Sequence, residues 1–264
     1  MRPDSWASGE SYEQYVGRWS RLVAEEFIRW LGLPPGKRWL DLGCGTGALS
    51  RAIIALASPE AVHGIDPSPS HIAFARKAVP DTRAAFSTGT AESTRCPAGS
   101  FDCVVSGLVL NFVPDPVSAV AEMKRVARSD GIVAAYVWDY AGTMEFMRYF
   151  WDAAAALDDA ALALDEGKRF PLCRPDRLKA LFSTAGVRGV EVRSIDVPTR
   201  FENFDDYWSP FLGGQGPAPG YAMSLDEERR NRLRNRLRST LPIAGDGSIN
   251  LTARAWAVKG RSYS

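Results

Sequence analysis

The chain has 264 residues, 45% hydrophobic and 24% charged, with a formal net charge of +1. That length holds one large α/β domain or two modest ones, and a chain of this size buries about three-quarters of its unfolded surface. The near-neutral balance points away from nucleic acid and from anionic membranes as partners.

Four cysteines, Cys44, Cys96, Cys103 and Cys173, form no CxxC, and only two histidines, His63 and His71, are present. No metal site is expected from such spacing. The polar start, Met1 to Gln14, lacks the apolar core of a secretory leader. The longest apolar stretch, Cys103 to Val113, is too short to cross a bilayer. The expectation is a cytoplasmic protein with free, mostly buried thiols.

Residues 12–31 place Tyr12, Tyr15, Val16, Trp19, Leu22, Val23, Phe27, Trp30 and Leu31 at steps of three or four, a helical stripe. Pro34-Pro35-Gly36 ends it. Strand and helix patterns then alternate. Strands are expected at Arg38–Leu42, Ala61–Ile65, Arg83–Ser87, Phe101–Val105 and Ile132–Trp138. Helices are expected at 47–57, from Ser70 through Val79, and at Val117–Ala127. This rhythm implies parallel pairing through right-handed crossovers, with the sheet between helices. After residue 140 it loosens. Met144–Leu157 reads as an aromatic-rich helix, Asp158–Arg169 as a polar, mobile stretch, Pro175–Ala185 as a helix and Val187–Val197 as a strand. Residues 201–247 read as irregular, with a Gly/Pro stretch at 213–220 and then an arginine-rich helix. Ile249–Val258 reads as a last strand.

The most informative segment is Leu40-Asp41-Leu42-Gly43-Cys44-Gly45-Thr46-Gly47-Ala48. It follows a strand and opens a helix. Glycine there lets the backbone turn tightly and lets a ligand approach without a Cβ in the way, and the helix start presents free N–H groups. Gly43, Gly45 and Ala48 also satisfy the dinucleotide pattern G-x-G-x-x-G/A. The acid at the strand end separates the two readings. A pyrophosphate is repelled by Asp41, whereas the ammonium of S-adenosyl-L-methionine (SAM) is held by it. Asp66, ending the second strand, suits the ribose hydroxyls of either ligand; the other reading is a turn cap before Pro67.

Together these residues resemble class I SAM-dependent methyltransferases, in particular the UbiE-like (methyltransferase type 11) subgroup. The matching segments are Leu40 to Gly47, Gly64-Ile65-Asp66, Gly89-Thr90-Ala91-Glu92, Phe101 to Ser106 and Val113-Pro114-Asp115-Pro116. The resemblance implies a Rossmann-like, mostly parallel sheet of seven strands with helices on both faces, the last strand antiparallel beside the fifth. It implies SAM as cofactor and S-adenosyl-L-homocysteine as product. It implies a cofactor site of Asp41, Gly43, Cys44, Gly45, Gly47, Asp66, Pro67, Thr90, Ala91, Glu92, Ser106 and Gly107. An N-terminal lid over residues 1–35 would add Tyr15 and Trp19, and residues 36–264 would form the SAM-binding domain. Thr90 departs from the family's usual Asp, and Asn111 from its frequent His.

Methyl transfer from a sulfonium is an in-line displacement in which the protein supplies alignment and desolvation. A base within reach helps a phenol or enol acceptor. Asp139 and Asn111, after the fifth and fourth strands, are the candidates, each with a plain capping or surface reading beside it. The acceptor is expected to be a small, aromatic or apolar molecule. Its pocket is assigned to Tyr12, Tyr140, Phe146, Phe150, Trp208 and Phe211, on inserts at about 141–175 and 201–247, although most such rings serve as core. The arginine run Arg229 to Arg238 reads as the solvated face of an amphipathic helix, so neither nucleic acid nor membrane is expected. A monomer or homodimer is. The alternatives are an NAD(P)-dependent oxidoreductase, for which no Tyr-x-x-x-Lys pair is present, and a SAM-binding protein without catalysis.

Overall fold

A computed structural model describes residues 17–213 and 216–263. In chain order the first elements are α1 (Arg18–Leu31), β1 (Arg38–Leu42), α2 (Ala48–Leu56), β2 (Ala61–Asp66), α3 (Pro69–Ala78) and β3 (Ala84–Thr88). Then come β4 (Phe101–Gly107), α4 (Pro116–Val126), β5 (Ala127–Trp138), α5 (Glu145–Ala155), α6 (Glu166–Arg169) and α7 (Pro175–Thr184). The last are β6 (Arg188–Phe201), α8 (Phe204–Trp208), α9 (Pro217–Ser224), α10 (Glu227–Thr240) and β7 (Ile249–Arg261). The part of the expected first helix before residue 17, with Tyr12 and Tyr15, lies outside the described residues.

The chain divides into two compact units. The first comprises Ser20–Trp138, Leu172–Ile195 and Ala255–Ser264. Its strands belong to a seven-stranded sheet of order β3-β2-β1-β4-β5-β7-β6. The first five pair in parallel, and β7 lies antiparallel to β5, as the resemblance implied. Helices cover both faces. The central strand β5 is buried without a break from Gly131 to Trp138, because both of its faces are covered. Strand β6 instead alternates buried and exposed residues along its second half, as expected where one face meets solvent. On α1, Val23, Ala24 and Phe27 are fully buried, one apolar stripe at helical spacing. Ser68 caps α3 with Pro69 at its first position, and Asp115 caps α4 through the amides of Val117 and Ser118.

Strand β5 begins earlier than its apolar run, at Ala127. Asp130 takes a left-handed φ of 62° there, and its N–H donates to the Ser262 carbonyl at 2.6 Å. Asp130-Gly131, a dipeptide that ordinarily marks a turn, is thus a bulge inside a strand, held by a partner more than a hundred residues away.

The second unit comprises, of the described residues, those up to Trp19, within Asp139–Pro171 and within Asp196–Arg254. Its core is aromatic. Phe146, Phe150, Phe201, Tyr207 and Phe211 are all 0% exposed. Phe150 stacks on Phe211 at 4.3 Å between ring centres, Phe146 lies 4.8 Å from Phe211, and the Tyr207 hydroxyl donates to the Phe146 carbonyl at 2.9 Å. Two segments differ from expectation. Asp158–Arg169 is pinned rather than loose. Asp165 takes both guanidinium N–H groups of Arg148 at 2.8 Å, and buried Glu166 accepts the Trp151 indole N–H. The donors sit on α5, so nothing local announces them. The Gly/Pro stretch forms helix α9. Pro217 occupies its first turn, where a missing N–H costs nothing, and Ala218, Tyr221 and Ala222 are buried. On α10, Leu233 and Leu237 are buried and most of the arginines face solvent, as read.

Candidate functional site

The site lies in the first unit, where strand order reverses between β1 and β4. In open α/β sheets ligands bind outside the carboxyl ends of the strands at such a point. Register brings the strand ends together: Asp41 pairs with Gly64 on β2 and with Val105 on β4.

The glycine turn leaves β1 and starts α2. The N–H groups of Gly43 and Cys44 both donate to the Ile65 carbonyl, at 2.7 and 3.0 Å, tying the turn to the end of β2. Gly45 has φ 51° and open space where a Cβ would stand. At Gly43 a Cβ would come within 2.5 Å of the Val109 side chain, which roofs the turn from the loop after β4. Gly47 caps α2 without a side-chain partner, leaving helix-start N–H groups for a ligand.

Asp41 is 1% exposed. Its Oδ2 accepts the Ser50 hydroxyl at 2.7 Å, whereas Oδ1 is buried with no partner among the described residues. Burial pushes this carboxyl up to about 7, against the pull of Ser50, with the Asp66 charge adding to the rise. An orphaned carboxylate oxygen in such a place is costly unless a cation meets it.

Asp66 is also buried. Its Oδ2 accepts the Gly45 N–H at 3.1 Å, and its Oδ1 accepts the Ser68 N–H at 2.9 Å and lies 3.3 Å from His71 Nδ1. Its carboxylate is therefore aimed, and one lone-pair direction on Oδ2 remains. His71, which the sequence did not single out, belongs to this constellation. So does Ser50. A serine and a histidine inside helices carry no local signal of such a role.

The remaining sequence candidates fall as follows. Ser106 is fully buried and donates to the Leu42 carbonyl at 2.9 Å, which pins β4 to the end of β1. Gly107 leaves room for the Tyr136 hydroxyl, 2.5 Å from where a Cβ would stand. The backbone of Cys44 serves the turn; its thiol lies 4.0 Å from the Gly45 carbonyl and its side chain packs with Ile72, Ala75, Val79 and Phe86. Pro67 and Thr90 are exposed, and Ala91 and Glu92 half-buried. Thr90 bridges Ser93 in a tight turn. Asn111 follows β4, and its Nδ2 is buried with no partner among the described residues. Leu108, three residues earlier, holds φ 62°. That conformation costs a leucine of order 1–3 kcal/mol and is a mark of functional loops.

The other candidates lie in the second unit. Asp139 is 6% exposed; its Oδ2 accepts the Thr143 N–H at 2.8 Å, which leaves Oδ1 outside that turn. Trp19 is buried 5.3 Å from Phe146 and 5.0 Å from Phe201, in the aromatic core. Phe146, Phe150, Trp208 and Phe211 are core residues as well, and Tyr140 packs 5.7 Å from Phe170.

Residues 40–135 match the family described as "Methyltransferase domain". Over that span the chain carries a methyltransferase domain. Among curated relatives, it is 32% identical over 171 residues to the 2-methyl-6-phytyl-1,4-hydroquinone methyltransferase of Synechocystis sp., covering 56% of this chain and 54% of that protein. It is 37% identical over 103 residues to an aklanonic acid methyltransferase of Streptomyces sp., covering 38% of this chain and 47% of the relative. The chain thus spans about half the length of the curated relatives it matches. Among solved structures, it superposes with a TM-score of 0.60 and 14% identity on a Haemonchus contortus phosphoethanolamine N-methyltransferase in complex with S-adenosylhomocysteine, over 96% of this chain and 58% of that one. That likeness shows the fold.

Proposed function

We propose that the protein is a SAM-dependent methyltransferase of a small-molecule acceptor, releasing S-adenosyl-L-homocysteine. One observation carries this reading: Asp41 buries a donorless carboxylate oxygen at a strand end, beside a turn left open at Gly45. An ammonium supplies the missing donor and the opposite charge. A pyrophosphate would add negative charge beside Asp41 and Asp66, which argues against a dinucleotide. Asp66 keeps an acceptor position for a ribose hydroxyl. By the resemblance, Thr90, Ala91 and Glu92 would flank adenine, and Ser106 and Gly107 the methionine side.

When bound, SAM supplies an activated methyl group on a sulfonium, and what falls to the protein is alignment and exclusion of water. Two side chains are suited to an acceptor hydroxyl. Asn111 offers an amide N–H with no partner among the described residues. Asp139, with one oxygen fixed by Thr143 and its charge acting on Arg254, is the candidate to take a proton. The names of the curated relatives, a hydroquinone and an aklanonic acid methyltransferase, favour an aromatic or apolar acceptor. The inserts at about 141–175 and 201–247 are proposed as the acceptor side; the lid expected over residues 1–35 falls in part outside the described residues. A cytoplasmic monomer or homodimer is the accompanying proposal; among the described residues no helix is long and apolar enough to cross a membrane.

The test is calorimetric titration with S-adenosylhomocysteine, on wild type and Asp66→Ala, with NADH as control. Micromolar binding that Asp66→Ala abolishes is expected. Binding of NADH without S-adenosylhomocysteine would return the turn to the dinucleotide reading.

A further inference from the structure

Away from the proposed cofactor turn, the first unit assembles a thiol, an imidazole, a hydroxyl and a guanidinium that nothing in methyl transfer uses. His63 stands on β2 and Ser87 on β3. Their register, His63 opposite Ala85, puts Ser87 on the same face, two residues along. His63 Nε2 lies 2.8 Å from Ser87 Oγ. The other ring nitrogen, Nδ1, lies 4.0 Å from the Cys96 sulfur, on the loop between β3 and β4.

That loop is held hard. Glu122 on α4 accepts both the N–H and the hydroxyl of Thr94, at 2.9 and 2.6 Å. Burial would raise the Glu122 carboxyl, but donation from Arg125 and Thr94 outweighs it and brings it down to about 2. The Thr94 hydroxyl in turn accepts the Cys96 N–H at 3.2 Å, and Arg125 donates to the Cys96 carbonyl at 2.8 Å. Between these clamps Arg95 sits at φ 60°, a left-handed strain for an arginine. The thiol itself is 3.8 Å from the Thr94 carbonyl, which leaves its proton a choice between that oxygen and His63. Charged neighbours come from every element packed here. They are His63 from β2, and Glu122 and Arg125 from α4, with the Arg125 guanidinium close enough to be favoured by a Cys96 thiolate.

Cys96 also differs from the other thiols in access. Cys44, Cys103 and Cys173 are at most 6% exposed, and burial pushes the first two well up, away from reactivity. Cys96 is half-buried. His63 is lowered by burial, so near neutral pH its ring is uncharged and free to accept a proton.

We propose that Cys96, with His63 as its base and Ser87 fixing the ring's tautomer, is a reactive thiol that exchanges with low-molecular-mass disulfides such as oxidised glutathione. His63 Nε2–H donates to Ser87 Oγ, which leaves the Nδ1 lone pair toward the sulfur. Nδ1 takes the thiol proton. The thiolate attacks one sulfur of the reagent, the reagent's S–S bond breaks, a new S–S bond forms to Cys96, and the other half leaves as a thiolate. The protein ends as a mixed disulfide on the loop six residues after Thr90, reversible by excess thiol. This site stands independently of the methyltransferase reading.

The experiment uses the full chain without denaturant, with the aromatic disulfide 5,5′-dithiobis(2-nitrobenzoate) as kinetic probe and intact mass after oxidised glutathione as product assay. One fast thiol of the four is expected in wild type, absent in Cys96→Ser. His63→Gln should slow it at pH 7 by roughly tenfold or more and move its pH–rate profile to higher pH. Ser87→Ala should fall between. A fast thiol surviving in Cys96→Ser, or a His63→Gln profile identical to wild type, overturns the proposal. Circular dichroism and S-adenosylhomocysteine titration of each variant separate loss of the site from loss of the fold.

Discussion

The buried, half-partnered carboxylate of Asp41 makes a quantitative prediction. Its pKa is raised from 3.8 to about 7. A raised carboxyl binds its proton in the folded chain over a range where the unfolded chain has released it. Stability is therefore fully present below about pH 4, declines from there to about pH 7, and stays lowered above. At about 1.4 kcal/mol per pKa unit, the cost at pH 8 is roughly 4 kcal/mol, an upper bound because the unfolded chain retains some structure. Asp41→Asn keeps the shape and can still accept from Ser50, but never ionises. In this size range about 1 kcal/mol moves the melting midpoint by ~2–4 °C, so the ligand-free variant should melt several degrees above wild type at pH 8 and level with it at pH 4. Contributions from other carboxylates cancel in the difference. The ammonium-bearing ligand reverses the order. S-adenosylhomocysteine should bind wild type more tightly as pH rises toward 7, with proton release below it, and bind Asp41→Asn weakly with no such trend. Thermal melts across pH and paired calorimetry measure both. Parallel melting curves, or equal ligand affinity, would refute the assignment of Asp41 as the cation's partner.

Glu166 is a second buried acid, raised to about 8 by burial, with Trp151 donating to its carboxylate. Wild type should therefore lose stability as pH rises from about 4.5 to about 8 and stay lowered above, and Glu166→Gln should close that gap; urea melts at pH 6 and pH 9 with the same difference at both would exclude it. Phe211→Ala empties the centre of the aromatic core and should cost ~3–5 kcal/mol, read as a lowered urea midpoint at unchanged slope. Asp139→Asn keeps the Thr143 contact but removes the proton acceptor. Once an acceptor is found, turnover should fall by roughly 10²-fold or more with S-adenosylhomocysteine affinity unchanged, and unaltered turnover would confine Asp139 to its turn.

Much of the fold, and the glycine turn with its two strand-end acids, was legible in the chain because their signals are local. A glycine turn between an apolar strand and a helix, an acid at each of two strand ends, and alternating strand and helix periods are short-range patterns. They sufficed for the parallel sheet, the place of Asp41, Gly45 and Asp66 on it, and free cysteines. Tertiary structure decided what depends on distant partners. Ser50 and His71 joined the site because α2 and α3 face the strand ends, a matter of helix rotation that spacing does not encode. Asp158–Arg169 looked loose because Arg148 and Trp151, which bind its carboxylates, lie on another helix. The Asp130 bulge depends on Ser262, and the thiol of Cys96 acquired an imidazole only through the pairing of β2 with β3. The rings of the second unit show the limit most plainly. Their helical spacing is the same whether they line a pocket or fill a core, and burial, a property of the whole fold, put Phe146, Phe150 and Phe211 in the core.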